Sequence, residues 1–441
     1  MIPSNPGLSN SSRAGLSKGK VRRIGIYGSC FWATCVSAQA ASTTALSLSP
    51  AALAPLPSAP SGFNRGPAAP DTGGGVGGLL LDGLSFASSL GLTYDSNVSQ
   101  GYVAPGGAQG SDVYLSLGGA ANYQSKASEV TFGGNYHGTY NQYFQNTEFS
   151  GYSQGAGVSA AYDVGRLNVT GQVGIDYDHG SNRNYSSTVV DQTSFNSSLT
   201  ARYKLSPKTS LTGNLSERFN SSSGDFNQTN SFDMGASALW KYSPLTEFGP
   251  GIRYTFTSDG TGDGRTSIGP TITANYKLST KISLNSRVGM DFATYGDGAS
   301  ADPTFSTSLA LDYRASKLWG MNLSLYRDTQ ADPNVSGGYY EVTALRLGYN
   351  RKIRRAVLNL GCSYETTSYS IPVYTGVVSG STPIPPPQQD RNYLSLDSSL
   401  GMMIFHNTTA ASVFLRYTDQ SGGGLNSWNS VQTGISISRS F

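Results

Sequence analysis

The sequence predicts an all-β fold: a transmembrane, antiparallel, up-and-down β-barrel of about 18 strands, with 16 to 18 plausible at roughly 20 residues per strand and connection. Three observations carry this. Side chains alternate between apolar and small or polar from about residue 81 to the end. A tyrosine closes every second alternating segment, at Tyr123, Tyr162, Tyr203, Tyr242, Tyr276, Tyr313 and Tyr349, spaced by about 34 to 41 residues and each just before a short polar turn. The last alternating segment finishes on Phe441. An amphipathic ring at one fixed place in each hairpin suits the boundary between hydrocarbon and headgroups, so the seven tyrosines are read as an interface belt.

Composition agrees with short strands and turns. The chain has 441 residues, is only 13% charged, and contains 54 Gly and 27 Tyr, poor material for a helical or α/β enzyme. Its mean hydropathy of −0.27 would suit a soluble protein. A barrel gives the same value, because it shows lipid only every second residue and dilutes that signal with a polar lumen. The longest apolar run, Ile24 to Val36, falls well short of the roughly 20 residues that a spanning helix requires.

That run reads instead as the core of a secretory signal peptide. Lys18, Lys20, Arg22 and Arg23 precede it and Ala38-Gln39-Ala40 follows it, giving the basic, apolar and small-residue parts in order. Residues 1–40 are therefore expected to be removed, with cleavage after Ala40. Trp32-Ala33-Thr34-Cys35 lacks the aliphatic residue that a lipoprotein signal carries three positions before its cysteine. Cleavage removes Cys30 and Cys35 and leaves Cys362 alone, which excludes an internal disulfide and a cysteine-based zinc site. Removing the five basic residues of this segment from a chain of formal net charge +3 leaves −2, which argues against nucleic acid as a partner. Residues 41–80 are rich in Ala, Pro, Ser and Gly with almost no large side chain, and read as a flexible periplasmic lead-in.

The barrel is expected over residues 81–441. In its first strand Leu84, Phe86, Leu90, Leu92 and Tyr94 share one parity, and Ser85, Ala87, Ser89, Gly91 and Thr93 share the other. Later segments repeat the split: Val130, Phe132, Tyr136 and Tyr140 oppose Thr131, Asn135, His137 and Asn141, and Ile282, Leu284, Val288, Met290 and Phe292 oppose Ser283, Asn285, Arg287 and Asp291. Short connections such as Asp163 to Arg166, Ser206-Pro207-Lys208, Ser243 to Thr246 and Arg351-Lys352-Ile353 alternate with long ones such as His179 to Asp191, Asn220 to Asn230 and Ser370 to Arg391. Short periplasmic turns and long outer loops are the expected asymmetry, and an even strand number puts both termini in the periplasm. Pro250 and Pro270 fall inside expected strands, where the missing N–H predicts a bulge or a strand end. Ile435, Ile437 and Phe441 share one parity at the C-terminus, like the strand that the barrel assembly machinery reads. Arg439 departs from the aromatic or aliphatic residue usual in that signal.

At Tyr94-Asp95-Ser96-Asn97-Val98, with Ser111-Asp112 opening the next strand, the sequence resembles the β-barrel porin 2 family, whose members begin their barrel with a similar strand and Asp-Ser-Asn corner. The resemblance implies an outer-membrane channel, some such proteins accompanying surface-polysaccharide systems. It implies no catalytic residue.

The parity opposite the apolar one nominates the lumen lining: His137, Asp176, Arg218, Arg253, Arg287, Asp291, Asp312, Asp328, Arg346, Asp397 and Arg416. A wall of mixed sign is wettable and weakly selective, and a barrel of this size leaves an aqueous path unless a loop fills it. Basic residues such as Lys208, Lys281, Arg351 and Arg355 gather at the turns, and acids such as Glu148, Asp259, Asp332 and Asp419 gather in the loops. The turns would then rest against anionic lipid while the mouth favours cations, the alternative being ordinary solvated turns. The Pro-rich loop of residues 371–391 is either a constriction or an exposed outer loop.

These readings describe a non-enzymatic porin of the Gram-negative outer membrane without a cofactor, whose partners are membrane lipid, the assembly machinery and a small solute or polysaccharide. A structural or conduit role in surface-polysaccharide export is the alternative. Of the three histidines, His137 falls mid-wall and His406 in a turn, leaving His179 in Asp176-Tyr177-Asp178-His179 as a weak cation-site candidate. A soluble β-propeller would share a repeat near 40 residues, but this chain lacks the Trp-Asp signature.

Overall fold

The computed structural model describes residues 83–441 apart from 101–109, 128, 182–188, 225, 261–263, 280, 297, 299, 301, 334–337, 371–389, 406–407 and 423–426. The expected signal peptide and lead-in, most of the 371–391 loop, and His406 lie outside the described residues.

Among the described residues, eighteen strands form one antiparallel sheet whose order follows the chain and whose last strand pairs with the first. They are β1 (Leu84–Asp95), β2 (Asp112–Ala127), β3 (Val130–Tyr143), β4 (Gly151–Val164), β5 (Leu167–Ser181), β6 (Val189–Lys204), β7 (Thr209–Ser222), β8 (Thr229–Ser243) and β9 (Thr246–Ser258). The circuit continues through β10 (Gly264–Lys277), β11 (Ile282–Tyr295), β12 (Thr304–Ser316), β13 (Trp319–Ala331), β14 (Tyr339–Ile353), β15 (Ala356–Ser370), β16 (Arg391–Phe405), β17 (Thr409–Gly422) and β18 (Trp428–Ser440). A closed ring of strands leaves no row of unpaired N–H and C=O groups, which a sheet crossing hydrocarbon could not tolerate.

Closure is secured at both rims. At the turn rim the backbones of Phe86 and Phe441 exchange hydrogen bonds, Phe441 N–H donating at 2.9 Å and Phe86 N–H at 3.4 Å. At the loop rim, the corner that follows β1 is stitched to β18. The Asp95 carboxylate accepts from Ser430 Oγ at 2.6 Å, Gln432 Nε2 at 2.7 Å and its own chain's Asn97 N–H at 2.8 Å. Asn97 Nδ2 donates to the Asn429 carbonyl at 2.8 Å. Opposite, the Asp112 carboxylate accepts from the backbone N–H groups of Gln145 and Asn146 and so pins the β3–β4 loop. The Tyr-Asp-Ser-Asn corner is thus a seam fastener, built from a short acid that can satisfy local N–H groups while holding a neighbouring strand.

The prolines do not break the wall. Pro250 and Pro270 sit within continuous β9 and β10, next to one another across the ladder in the pairs Pro250↔Ile272 and Pro270↔Ile252, and the register is the same on either side of them. Only the outward ladders skip there, toward β8 for Gly249-Pro250 and toward β11 for Gly269-Pro270. Glycine makes this tolerable: a Cβ on Gly249 would lie 1.8 Å from the Ala238 carbonyl oxygen, and one on Gly269 would lie 1.7 Å from that of Met290. The expected bulge or strand end is therefore replaced by a local gap, because each proline is preceded by a residue that lets the neighbouring backbone close in.

One turn also moves. Arg351-Lys352-Ile353 remains in β14, and Arg354-Arg355 makes the reversal, with Arg354 at φ 53°. Gly165 occupies the equivalent left-handed position of the β4–β5 turn at φ 55°, as two-residue hairpins require.

The outward parity carries the apolar load. Leu90, Leu117, Val173, Ile252, Ile272, Val288, Leu345, Leu400 and Ile435 are all exposed on it. The seven belt tyrosines fall on this same face at the turn rim, at the ends of β2, β4, β6, β8, β10, β12 and β14. Several pack with other rings: Tyr313 stacks edge-on to Trp319 with centroids 5.3 Å apart, Trp319 lies 6.0 Å from Tyr349, and Tyr242 and Phe248 flank Trp240. Exposed Arg439 faces outward over the Phe441 ring at 5.1 Å.

Candidate functional site

The inner face is polar and uneven along the barrel axis. Toward the loop rim Thr93, Ser116, Ser267, Ser395 and Thr418 are buried, whereas toward the turn rim Asn122, Asn135, Ser159, Gln172 and Asn359 are exposed. Among the described residues, inward side chains are therefore exposed toward the short turns and buried toward the long loops.

All eleven nominated lining residues lie on the inward parity, and the structure brings five of them together. Arg253 on β9 is the hub. Its Nε donates to Asp233 on β8, its Nη1 to Asp291 on β11 at 3.2 Å, and its fork to Asp328 on β13 at 3.2 and 2.9 Å. Arg287 donates to Asn214 Oδ1 at 2.8 Å, and Asn214 Nδ2 donates to Asp233 at 3.1 Å. Arg218, whose Nε donates to Asn196 at 3.0 Å, lies close enough to interact with the charge of Asp328. The side chain of Arg253 is only 11% exposed and that of Asp291 7%, which is tolerable only because the charges satisfy one another. Three arginines and three aspartates make the cluster neutral as a whole.

This cluster crosses the lumen rather than lining it. Cα atoms of β13 come within 8 Å of those of β8 and β9, although β10 to β12 separate them along the wall. Beside the cluster, Tyr326, Val342 and Ala344 form a buried apolar knot with Tyr340 against it, Val342 lying opposite Asp328 in the ladder, and Arg346 lies over the Tyr326 ring at 5.5 Å. At the loop rim the mouth is tied further: Asn227 N–H donates to the Pro333 carbonyl at 2.8 Å, and Tyr339 Oη, at the start of β14, to the Thr257 carbonyl near the end of β9 at 3.4 Å. Asp259 and Asp332, read from sequence as acids of an open mouth, are instead buried at 1% and 2% exposure.

The remaining nominated residues occupy other parts of the wall. His137 and Asp176 approach at 3.9 Å across β4, where Gly155 leaves the room that any side chain would fill. Asp397 and Arg416 are a cross-strand ion pair on β16 and β17. Asp312 sits inward beside Asn322 and Ser283 in register.

Asp233, Asn214 and the inner-rim pair of Arg202 with Glu247 at 2.7 Å were not nominated. Their parity was readable, but contacts between strands that are not neighbours were not. The Asp176 to His179 cluster does not hold together: the two aspartates face inward, while His179 and Tyr177 face outward and both bond Asp191, at 2.7 and 2.9 Å. Among the described residues no group of three or more His, Cys, Asp or Glu is placed to hold a metal ion.

Residues 250–379, less than a third of the chain, match a family described as "Putative MetA-pathway of phenol degradation". No curated protein matches the sequence. Solved structures similar to it include the outer membrane protein opdK from Pseudomonas aeruginosa, at 11% identity and TM-score 0.40 over 82% of this chain and 100% of that one. OccAB3 from Acinetobacter baumannii is similar at 11% identity and TM-score 0.38, over 81% and 99%. The FrpB iron transporter from Neisseria meningitidis is similar at 10% identity and TM-score 0.40, over 82% and 83%.

Proposed function

We propose that the chain is a non-enzymatic outer-membrane channel of a Gram-negative envelope, through which small hydrophilic solutes diffuse passively. The observation that supports this best is the wall itself: a closed ring of strands, apolar outside and lined inside with mixed charge, hydroxyls and amides. Such a surface can sit only in a bilayer, and its interior can be only wet or filled by protein. The turn rim, with both ends of the ring, faces the periplasm in this reading, and its belt of Tyr and Trp meets the headgroups of membrane lipid. Ile435, Ile437 and Phe441 serve recognition by the barrel assembly machinery.

The neutral Arg253 cluster makes the path narrow on the β8–β13 side and leaves its net field small, which favours weak rather than strong ion selectivity. Swelling of liposomes that contain the purified protein tests the function. Uptake that falls with solute size is expected; no uptake of any solute would favour the polysaccharide-conduit alternative.

A further inference from the structure

One stretch of the outer face is hollow. Arg439, Ser88, Gly119 and Gly138 form a single cross-strand row over β18, β1, β2 and β3, and all but Arg439 have little or no side chain. On the far wall, β9, β10 and β11 carry exposed Ile252, Ile272 and Val288 instead. Leu90, Leu117 and Ile437 stand along the loop-rim side of the row, and together these residues enclose a trough of about 580 Å³ that faces outward. Three strand spacings of about 4.8 Å give it a length of about 14 Å. The rings of Tyr136 and Tyr152 close its β3 end, their hydroxyls lying 3.3 and 2.5 Å from where a Cβ of Gly138 would be.

The two ends of the trough differ in chemistry. Tyr136 Oη donates to Gln154 Oε1 at 3.3 Å and pairs with Tyr152 Oη at 2.8 Å, so these hydroxyls satisfy one another and the β3 end presents ring surface. At the β18 end stands exposed Arg439, the penultimate residue of its strand at the turn rim, with Ser88 and Thr409 as ladder neighbours. Among the described residues it has no acidic partner. A cation on a lipid-facing wall is costly without a counter-charge. A guanidinium at the end of an apolar trough is complementary to phosphate joined to hydrocarbon. A second barrel in the same orientation offers no such match, because the outward acids of the described strands, Asp191, Glu217, Glu341 and Asp419, all lie toward the loop rim.

We propose that the trough is a seat for one anionic glycerophospholipid, with an acyl chain lying over Gly119 and the phosphate accepting from Arg439. The inference goes beyond the channel reading and rests on the assignment of the outer parity to lipid. Contact of the chain with Leu90, Leu117 and Ile437 supplies close packing that a flat wall does not offer. Arg439 supplies the preference for a negative headgroup. The bound lipid takes the place of the side chains that Ser88 and Gly119 lack, so it belongs to the wall rather than to the exchanging lipid around it.

Native mass spectrometry of the folded full-length protein in detergent, titrated with phosphatidylglycerol and with phosphatidylcholine of the same chains, tests the seat. One phosphatidylglycerol per barrel is expected, bound about fivefold more tightly than phosphatidylcholine, the effect of one arginine beside an anionic headgroup. Gly119→Leu fills the trough. No heavy atom lies within 4 Å of a Cβ at this position, so the variant should fold, as heat-modifiable gel mobility reports, while losing the saturable site for both lipids. Arg439→Gln should keep the site and bind the two lipids alike. Equal binding of the two lipids by the unmodified protein, an unchanged site in folded Gly119→Leu, or displacement of the lipid by glycerol phosphate, which has no chain, would overturn the proposal. So would lipid-free dimers or trimers that Gly119→Leu breaks apart, which would give the trough to a second copy.

Discussion

Arg253 grips Asp328 with both terminal nitrogens, at 3.2 and 2.9 Å, although three strands of wall separate β9 from β13. A fork-on-carboxylate contact fixes both distance and orientation, so this pair sets how closely the two sides of the barrel approach. Replacing Arg253 by Ala leaves Asp233, Asp291 and Asp328 facing one another without their cation. For fully buried pairs such a loss costs about 3–5 kcal/mol, and less is expected here because the Asp328 side chain is 40% exposed. Urea unfolding in detergent should show the lower stability. In planar bilayers the variant should gain conductance and shift its reversal potential toward cation selectivity; an unchanged conductance would place the conducting path elsewhere.

Asp95 holds the first and last strands together at the loop rim through Ser430 and Gln432. Asp95→Ala orphans those donors and the Asn97 N–H, and about 2–4 kcal/mol of stability should be lost. The unfolding midpoint followed by heat-modifiable mobility should drop, and Asp95→Asn, which retains acceptor capacity, should fall between the two. Equal midpoints for all three would show that the seam needs no side-chain fastener.

Two glycines separate a close-approach role from mere low packing demand. Gly249 has the Ala238 carbonyl where a Cβ would go, and Gly119 has nothing within 4 Å. Gly249→Ala should reduce the yield of folded barrel, and Gly119→Ala should match the unmodified protein in the same expression and mobility assay.

Much of the fold was legible in the sequence, for a physical reason: in a barrel the period of two assigns every side chain to lipid or lumen, so Leu90 against Gly91 or Val288 against Arg287 can be sorted without knowing any distance. The strand number follows from counting such segments. What could not be read is how far the wall bends inward. Arg253 and Asp328 both belonged to the inward parity, yet nothing in their spacing of 75 residues says that they touch. Burial of Asp259 and Asp332 likewise depends on loop contacts that composition does not encode, and Pro250 stayed inside its strand because the adjacent Gly249 changed what the backbone could tolerate.

The assignment of the two faces is tested most directly by placing cysteines at adjacent positions of one strand. In a cysteine-free background reconstituted in liposomes, Leu400→Cys points outward from β16 and Ser399→Cys points inward. A membrane-impermeant maleimide present on both sides of the vesicle should label the Ser399→Cys protein and leave the Leu400→Cys protein unlabelled. Equal labelling of both, or labelling of Leu400→Cys alone, would contradict a wall with lipid on one side and water on the other.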